Sequence, residues 1–318
     1  MPYTLKKQKK KNKSRKALCN PIARKNKITK GSCFVPSSVR LMKRHYNKNN
    51  PADPITSMND KDILREIQLK ANNDCKEDIC LIKKFVKNKR ESSMLKALLF
   101  PPKQPSEWTK DPDAWLTNFD IMNVLNQYED TYKNFVFIGP SPIDYNAIVN
   151  KSRCVCKKLC NFQMKNYLAK TPPKTKFGIV FNLDPHTKGG SHWVAMFIDL
   201  VDNFVFFFNS TGEKIPSRIE EFANEVISQG RENNIDLSFH QNKNVEHQKS
   251  NTECGMYCLY FIITMLIRKR EINYDVENGL MSGGDPLTKT ELFDLFQGKN
   301  GKIPDQHVFN KREEYFSL

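Results

Sequence analysis

Cys254 lies in the stretch His247-Gln-Lys-Ser-Asn-Thr-Glu-Cys254-Gly255, and three other polar groups precede it in the chain. They are His192 in Ser191-His192-Trp193, Asn209 in Phe208-Asn209-Ser210-Thr211-Gly212, and Gln248, six residues before the cysteine. A thiol, an imidazole and an amide are the parts of a cysteine-nucleophile hydrolase. The thiolate is the reactive form, so the thiol pKa must come down from roughly 8.5. Cys254 directly precedes an apolar helical run, and a helix N-terminus favours an anion. His192 supplies a second device, as an imidazolium paired with the thiolate. Asn209, seventeen residues after His192, is expected on the adjacent antiparallel strand, where its side-chain oxygen would accept the imidazole N–H and orient the ring. The Gln248 amide and the backbone N–H of Cys254 suit a developing oxyanion. Gly255 leaves room for close backbone approach by a substrate.

Each of these residues has a plainer reading. An isolated histidine is more often structural, but His192 stands beside Trp193 and opens a strand, which reverses the balance. Free cysteine is among the most buried residue types. Cys258, one turn further along the apolar helix, fits that role and is assigned to the core. Gln248 is functional only if Cys254 is. Cys154-x-Cys156-x3-Cys160 invites a zinc reading but lacks a convincing fourth ligand, so neither metal nor cofactor is expected. Cys75-x4-Cys80 reads as helix packing. His186, His240 and His247 read as surface or loop residues, with His247 close enough to Gln248 to shape the site.

These groups need elements to position them. Residues 31–100 read as helical: Asp60 opens a run with Ile63, Leu64 and Ile67 at helical spacing, and further stripes follow at Ile79, Ile82, Phe85 and Val86, then at Leu95, Leu98 and Leu99. Pro101-Pro102-Lys103-Gln104-Pro105 ends that run and is the best domain boundary. Ile121, Val124, Leu125 and Tyr128 mark another helix. Residues 177–183 suit a buried strand, and Gly189-Gly190 a turn. Residues 192–198 and 204–208 suit two strands joined by Val201-Asp202-Asn203. An amphipathic helix with Pro216 near its start, a strand over 235–240, the 248–254 loop and the apolar helix complete the pattern. Strands mixed with flanking helices indicate an α+β domain with a central mixed sheet. The expected organisation is a basic disordered tail (1–30), a helical arm (31–107) and a catalytic domain (108–318).

Composition narrows the classes. At 39% hydrophobic and 27% charged, the 318 residues suit a globular protein. Residues 1–30 carry ten Lys and two Arg with no acid, so the tail holds most of the net charge of +16. Such a tail suits a solubilising role, nucleic acid, an anionic membrane or nuclear import. It lacks the aromatic interleaving of a base-stacking segment. No signal peptide is read at the N-terminus, and the apolar run over 256–267 is too short to span a bilayer. Nine cysteines without a secretory signal are expected to be free thiols in a reducing compartment.

The motifs resemble those of the Ulp1/adenovirus-type cysteine proteases. The family hallmarks are a His-Trp pair, an Asp or Asn on the next strand followed by Ser-x-Gly, and Gln-x5-Cys-Gly. They stand here as His192-Trp193, Asn209-Ser210-Thr211-Gly212 and Gln248-x5-Cys254-Gly255. The order His, Asn, Cys separates them from the papain type, which runs Cys, His, Asn. The segment from Trp115-Leu116 to Ile121 is similar to the family's Trp-Leu-Asn-Asp motif. The resemblance is closer to the virion-maturation proteases of large DNA viruses, of the African swine fever virus and mimivirus kind. It is strong over 115–265, weaker around Cys75 to Phe85, and absent from the tail.

That resemblance implies a Ulp1-like core and hydrolysis after small residues, commonly Gly-Gly, in structural polyprotein precursors. It implies Trp193 and Trp115 flanking a narrow substrate channel, and a setting in the virion and the host cytoplasm. Asn209 departs from the Asp of SUMO-specific members, which argues against deSUMOylation more than against catalysis. Two other classes stay open: an isopeptidase for a ubiquitin-like modifier, and a virion component that binds nucleic acid through residues 1–30.

Overall fold

The computed structural model describes residues 18–29, 31–72, 74–75, 77–149, 153–269, 271–272, 281–282 and 285–317. It divides into two compact units. One holds residues up to Gln104 together with Glu313–Leu318, and the other spans Pro105–Arg312.

The first unit is helical: α1 (Pro21–Asn26), α2 (Pro36–Asn49), α3 (Asp60–Lys70), α4 (Asp78–Phe85) and α5 (Lys89–Leu99). Asparagine side chains start three of them. Asn20, Asn59 and Asn88 accept from the backbone N–H groups of Ile22, Lys61 and Glu91, satisfying donors that a helix start leaves orphaned. Phe34, Met42, Ile67, Ile82 and Leu99 are fully enclosed in its core. The expected tail is therefore shorter than residues 1–30. Residues 18–29 fold with the arm because Asn20 also bonds the carbonyls of Leu99 and Ala97, and Ala23 is buried. Residues 1–17, which carry the rest of that expectation, lie outside the described residues. The last residues belong here too, with Ser317 bridged to Lys103 and Glu314 paired with Arg24 at 2.7 Å. The boundary expected at 107/108 thus falls at 104/105, and the catalytic unit stops at Arg312.

The cysteines depart from expectation. Cys19–Cys33, Cys75–Cys80 and Cys154–Cys160 are joined as disulfides, and Cys156, Cys254 and Cys258 are free. Their Cα separations of 5.2, 5.3 and 6.6 Å are those a disulfide spans. Cys75 and Cys80 are bonded to each other rather than packed as a helix face, because Cys75 precedes α4 and only Cys80 lies on it.

In the second unit a mixed five-stranded sheet forms the middle layer. Its strands are β1 (Phe135–Pro142), β4 (Lys176–Asn182), β5 (Trp193–Asp199), β6 (Phe204–Phe208) and β7 (Ser238–Gln241), in the order β1-β4-β5-β6-β7. β4, β5 and β6 are antiparallel neighbours, while β1 and β7 pair in parallel at the edges. Two small antiparallel strand pairs, β2 (Ile148–Val149) with β3 (Arg153–Cys154) and β8 (Glu271–Ile272) with β9 (Met281–Ser282), stand apart from the sheet. The period-2 rule divides β6 cleanly. Val205 and Phe207 face a core with Phe222 and Val226 of α9 (Ser217–Glu232). Phe204, Phe206 and Phe208 face the other side, against Phe261, Phe293 and Phe296. On that side lie α10 (Cys254–Ile267), α11 (Lys289–Phe296) and α12 (Asp305–Asn310). α10 is enclosed from Cys254 to Leu266, which is why its sequence is apolar all round. α6 (Asn118–Thr131), started by a Thr117/Asp120 capping box, packs beside it and β1.

Candidate active site

His192 sits immediately before β5 and Asn209 immediately after β6, so antiparallel pairing of the two strands brings both to one end of the sheet. His192 Nε2 donates to Asn209 Oδ1 at 2.8 Å. That bond fixes the tautomer and leaves Nδ1 to exchange protons. Asn209 Oδ1 also accepts from the Thr211 backbone N–H (3.1 Å) and hydroxyl (2.8 Å). Three donors on one oxygen determine which way the amide faces. Asn242 holds the Asn209 backbone from both sides, accepting its N–H at 2.9 Å and donating to its carbonyl at 2.7 Å. Gly212 completes the turn with φ of +75°, and a Cβ there would strike the Val245 carbonyl.

Cys254 is the first residue of α10 and is buried. Its burial pushes the thiol pKa up, while the backbone N–H groups of Trp193 and Gly255 bond the sulfur and pull it down. Trp193 adjoins His192, so these contacts bring the thiol to the start of β5. The space beside Gly255 is already taken: a Cβ would come within 3.0 Å of Leu116 and 3.4 Å of Trp193. The glycine therefore admits Leu116, not a substrate backbone.

Gln248 is pinned at both ends. Ser210 donates its hydroxyl to Oε1 at 2.7 Å, and Nε2 donates to the Ser250 carbonyl. The Ser210 carbonyl also accepts from the backbone N–H groups of His247 and Gln248, each at 2.9 Å. One serine thus joins the asparagine turn to the glutamine loop.

Trp115, Trp193, His192, Gly189 and Gly190 line one groove of about 540 Å3. Trp193 is buried, its indole N–H donating to the Leu116 carbonyl at 3.1 Å, whereas Trp115 is 44% exposed at the mouth. His186 lines the groove as well, its Nδ1 bonded to Asp144 at 2.6 Å. Burial works against the Asp144 charge, but the His186 bonds bring its carboxyl below the ordinary range. His247, expected on the surface or in a loop, is buried. It donates from Nε2 to the Phe296 carbonyl and accepts the Ile303 N–H at Nδ1, which makes it a structural neutral imidazole. Among the described residues no cluster of His, Cys, Asp or Glu could hold a metal ion, and the Cys154–Cys160 bond removes two thiolates from the zinc pattern.

Several participants escaped the sequence reading. Ser210 and Asn242 act through buried hydrogen bonds. Glu253, fully buried beside Cys254, pairs with Arg312. Ser210 stood in the quoted Asn-Ser-x-Gly motif and Glu253 next to Cys254, but nothing local revealed their partners.

A thiol at a helix start, an oriented imidazole and a groove lined by that imidazole and Trp193 are the parts of nucleophilic acyl transfer. The Ulp1 protease family, C-terminal catalytic domain, matches residues 179–282. A thiol protease of Acanthamoeba polyphaga mimivirus is 30% identical over 256 residues, which are 74% of this chain and 80% of that protein. The chain belongs to the Ulp1 protease family. It is a cysteine (thiol) protease with viral relatives. A cysteine protease of African swine fever virus is 31% identical over 153 residues, 46% of this chain and 56% of its own length. The crystal structure of an African swine fever virus protease shares the fold, with a TM-score of 0.57 at 20% identity over 96% of this chain and 97% of that one. No helix among the described residues is long and apolar enough to cross a membrane.

Proposed function

We propose that this Ulp1-family protease is a processing endopeptidase that cleaves structural polyprotein precursors after small residues, with Gly-Gly-Xaa as the preferred junction, during virion maturation. The observation that carries this reading is the groove itself: tryptophan and paired glycines line it, and it runs up to the His192–Asn209 pair. A residue without a side chain suits such a channel best. The viral relatives support a setting in the virion and the host cytoplasm.

In this reading Cys254 is the nucleophile, His192 the base, Asn209 the orienter and Gln248 the oxyanion donor. His192 Nδ1 takes the thiol proton as sulfur bonds the substrate carbonyl carbon. The oxygen becomes negative and is met by the Cys254 backbone N–H and the Gln248 N–H not spent on Ser250. The C–N bond then breaks as the Nδ1 proton passes to the leaving amine, leaving a thioester. Water attacks it, His192 takes one proton from that water, and the S–C bond breaks as that proton passes back to sulfur, releasing the acid. Because burial raises the thiol pKa, ionisation relies on forming the imidazolium beside it.

Cleavage of Gly-Gly-Xaa peptides by the wild type, lost in Cys254→Ala, with SUMO conjugates left intact, is the expected result. Cleavage of conjugates alone would replace this reading with an isopeptidase. A nucleic-acid role for residues 1–30 is supported by their twelve basic and no acidic residues. Salt-dependent DNA binding that disappears on removing residues 1–17, with peptidase activity kept, is expected if the tail is a tether.

A further inference from the structure

Glu253 and Arg312 form a buried ion pair one residue from the nucleophile, and the protease chemistry above does not use it. Glu253 Oε1 accepts from Arg312 Nη2, and Nη1 of the same guanidinium donates to the Pro112 carbonyl. The guanidinium lies between two rings, 4.1 Å from the Trp108 centroid and 4.3 Å from that of Phe309. Glu253 Oε2 and Arg312 Nε are buried without a hydrogen-bond partner among the described residues. A buried pair left short in this way is a poor source of stability, since two apolar side chains of similar volume commonly do as well or better.

What the pair touches is more informative. Residues 112–116 form the segment that carries Trp115 and Leu116 into the groove lining. Its carbonyls at Pro112, Ala114 and Leu116 are captured at every second residue by Arg312, the Trp108 indole (2.8 Å) and the Trp193 indole (3.1 Å). Leu116 fills the space beside Gly255. Arg312 therefore grips the groove wall with one arm and the residue preceding Cys254 with the other. Asp305 braces the same loop further back, accepting the backbone N–H groups of Lys249 and Ser250 and the Tyr257 hydroxyl.

We propose that Arg312 is a positioning residue, whose bridge between Glu253 and the Pro112 carbonyl sets the spacing between the nucleophile and the tryptophan wall of the substrate groove. This rests on the protease reading of Cys254 and adds a role for the end of the catalytic unit. Glu253 also faces the charges of Asp305 and Asp113, and burial lifts its carboxyl to about 6 even beside Arg312. Loss of the bridge on protonation would then add an acid limb to activity near that pH.

The test compares wild type, Arg312→Lys and the double variant Glu253→Gln/Arg312→Met. The readouts are kcat and KM on a Gly-Gly peptide, the pH dependence of Cys254 alkylation by iodoacetamide, and Tm. The double variant removes both buried charges, so its Tm is expected to stay near that of the wild type. Its kcat/KM is expected to fall by on the order of 100-fold, the usual consequence of misplacing a reacting group by about an ångström. Arg312→Lys keeps the charge but cannot span both acceptors, and only part of the activity should return. The acid limb should vanish from the double variant's alkylation profile. A folded double variant, or Arg312→Lys, with wild-type kcat/KM and an unchanged alkylation profile would overturn the proposal. If the wild type ignores the peptide, the substrate reading fails, and the alkylation profiles still decide the role of Arg312.

Discussion

The two ends of β5 treat a buried carboxylate in opposite ways. At the far end, Asp199 is fully enclosed and completely partnered. One oxygen takes Lys176 at 2.6 Å and Arg268 at 3.0 Å, and the other takes the backbone N–H groups of Val201 and Asp202 at 3.0 and 3.2 Å. Arg268 closes α10 in a left-handed conformation with φ of 52° while reaching this carboxylate. At the near end, Glu253 is equally enclosed but is paired with Arg312, and one of its oxygens has no partner among the described residues. Asn209 leaves its buried Nδ2 unpartnered there too. Saturated polar groups lock a fold, whereas undersatisfied ones keep a group responsive to its neighbours. The Asp199 carboxylate is of the first kind, although Arg268 Nε beside it is unpartnered among the described residues, and the Glu253 carboxylate beside Cys254 is of the second.

The sharpest way to break this contrast is Asp199→Asn. Lys176 would lose its carboxylate and Arg268 would keep only that of Asp202, and unfolding in urea should show a loss of about 3 kcal/mol. The folded fraction should keep its kcat/KM, because the lesion lies at the end of β5 away from His192. A matching loss of specific activity would show that the two ends are not independent.

Asn209→Ala should do the reverse, with Tm little changed and kcat lowered by about 100-fold, the scale of a general base deprived of its orientation. Asn209→Asp keeps the accepting oxygen and removes the unpartnered Nδ2, so it should recover most of that rate. An inert Asp variant would mean that the amide does more than orient His192.

pH probes the next level. The Glu253 carboxyl is raised from 4.5 to about 6 by burial, so the folded state binds its proton more tightly than the unfolded chain does. Its contribution is present in full below about pH 4.5 and is lost as pH rises through about 6, worth on the order of 2 kcal/mol. His247 runs the other way. Burial lowers its pKa, so its contribution is present above about 6.5, the unfolded value, and is lost as pH falls. Denaturant unfolding between pH 4 and 7 should show Glu253→Gln steepening the acid loss, because the opposing Glu253 contribution is gone. Parallel curves for the two proteins would remove Glu253 from the account.

The smallest expected effect is that of Ser210→Ala. It frees the Gln248 carbonyl and should lower kcat by about tenfold, part of what losing an oxyanion donor costs. KM should hold, because Ser210 does not line the groove.

The residues with candidate chemistry were legible because their signals are local. Cys254 heads an apolar run, His192 opens a strand, and Asn209 closes the next one. Strands β4, β5 and β6 were legible for the same reason, since short turns join β5 to β6 and their patterns are apolar throughout. β1 was missed although Phe135 to Ile138 is a run of four apolar residues. Its partner β4 is some forty residues away in the chain and parallel to it, a pairing no neighbouring residue announces. The cysteine pairings were misread from compartment reasoning, because spacing in sequence does not report spacing in space.

Sequence alone picked out Cys254 as the candidate nucleophile, its candidate partners and their order, since each depends on a few adjacent residues that set a helix start or a strand end. Tertiary structure alone decided which buried charges were saturated and which were left short. Asp199 finds Arg268 across 69 positions, and Glu253 finds Arg312 across 59. Partners that far apart are selected by the packing of whole elements, because a buried charge persists only where the completed fold delivers its counterpart.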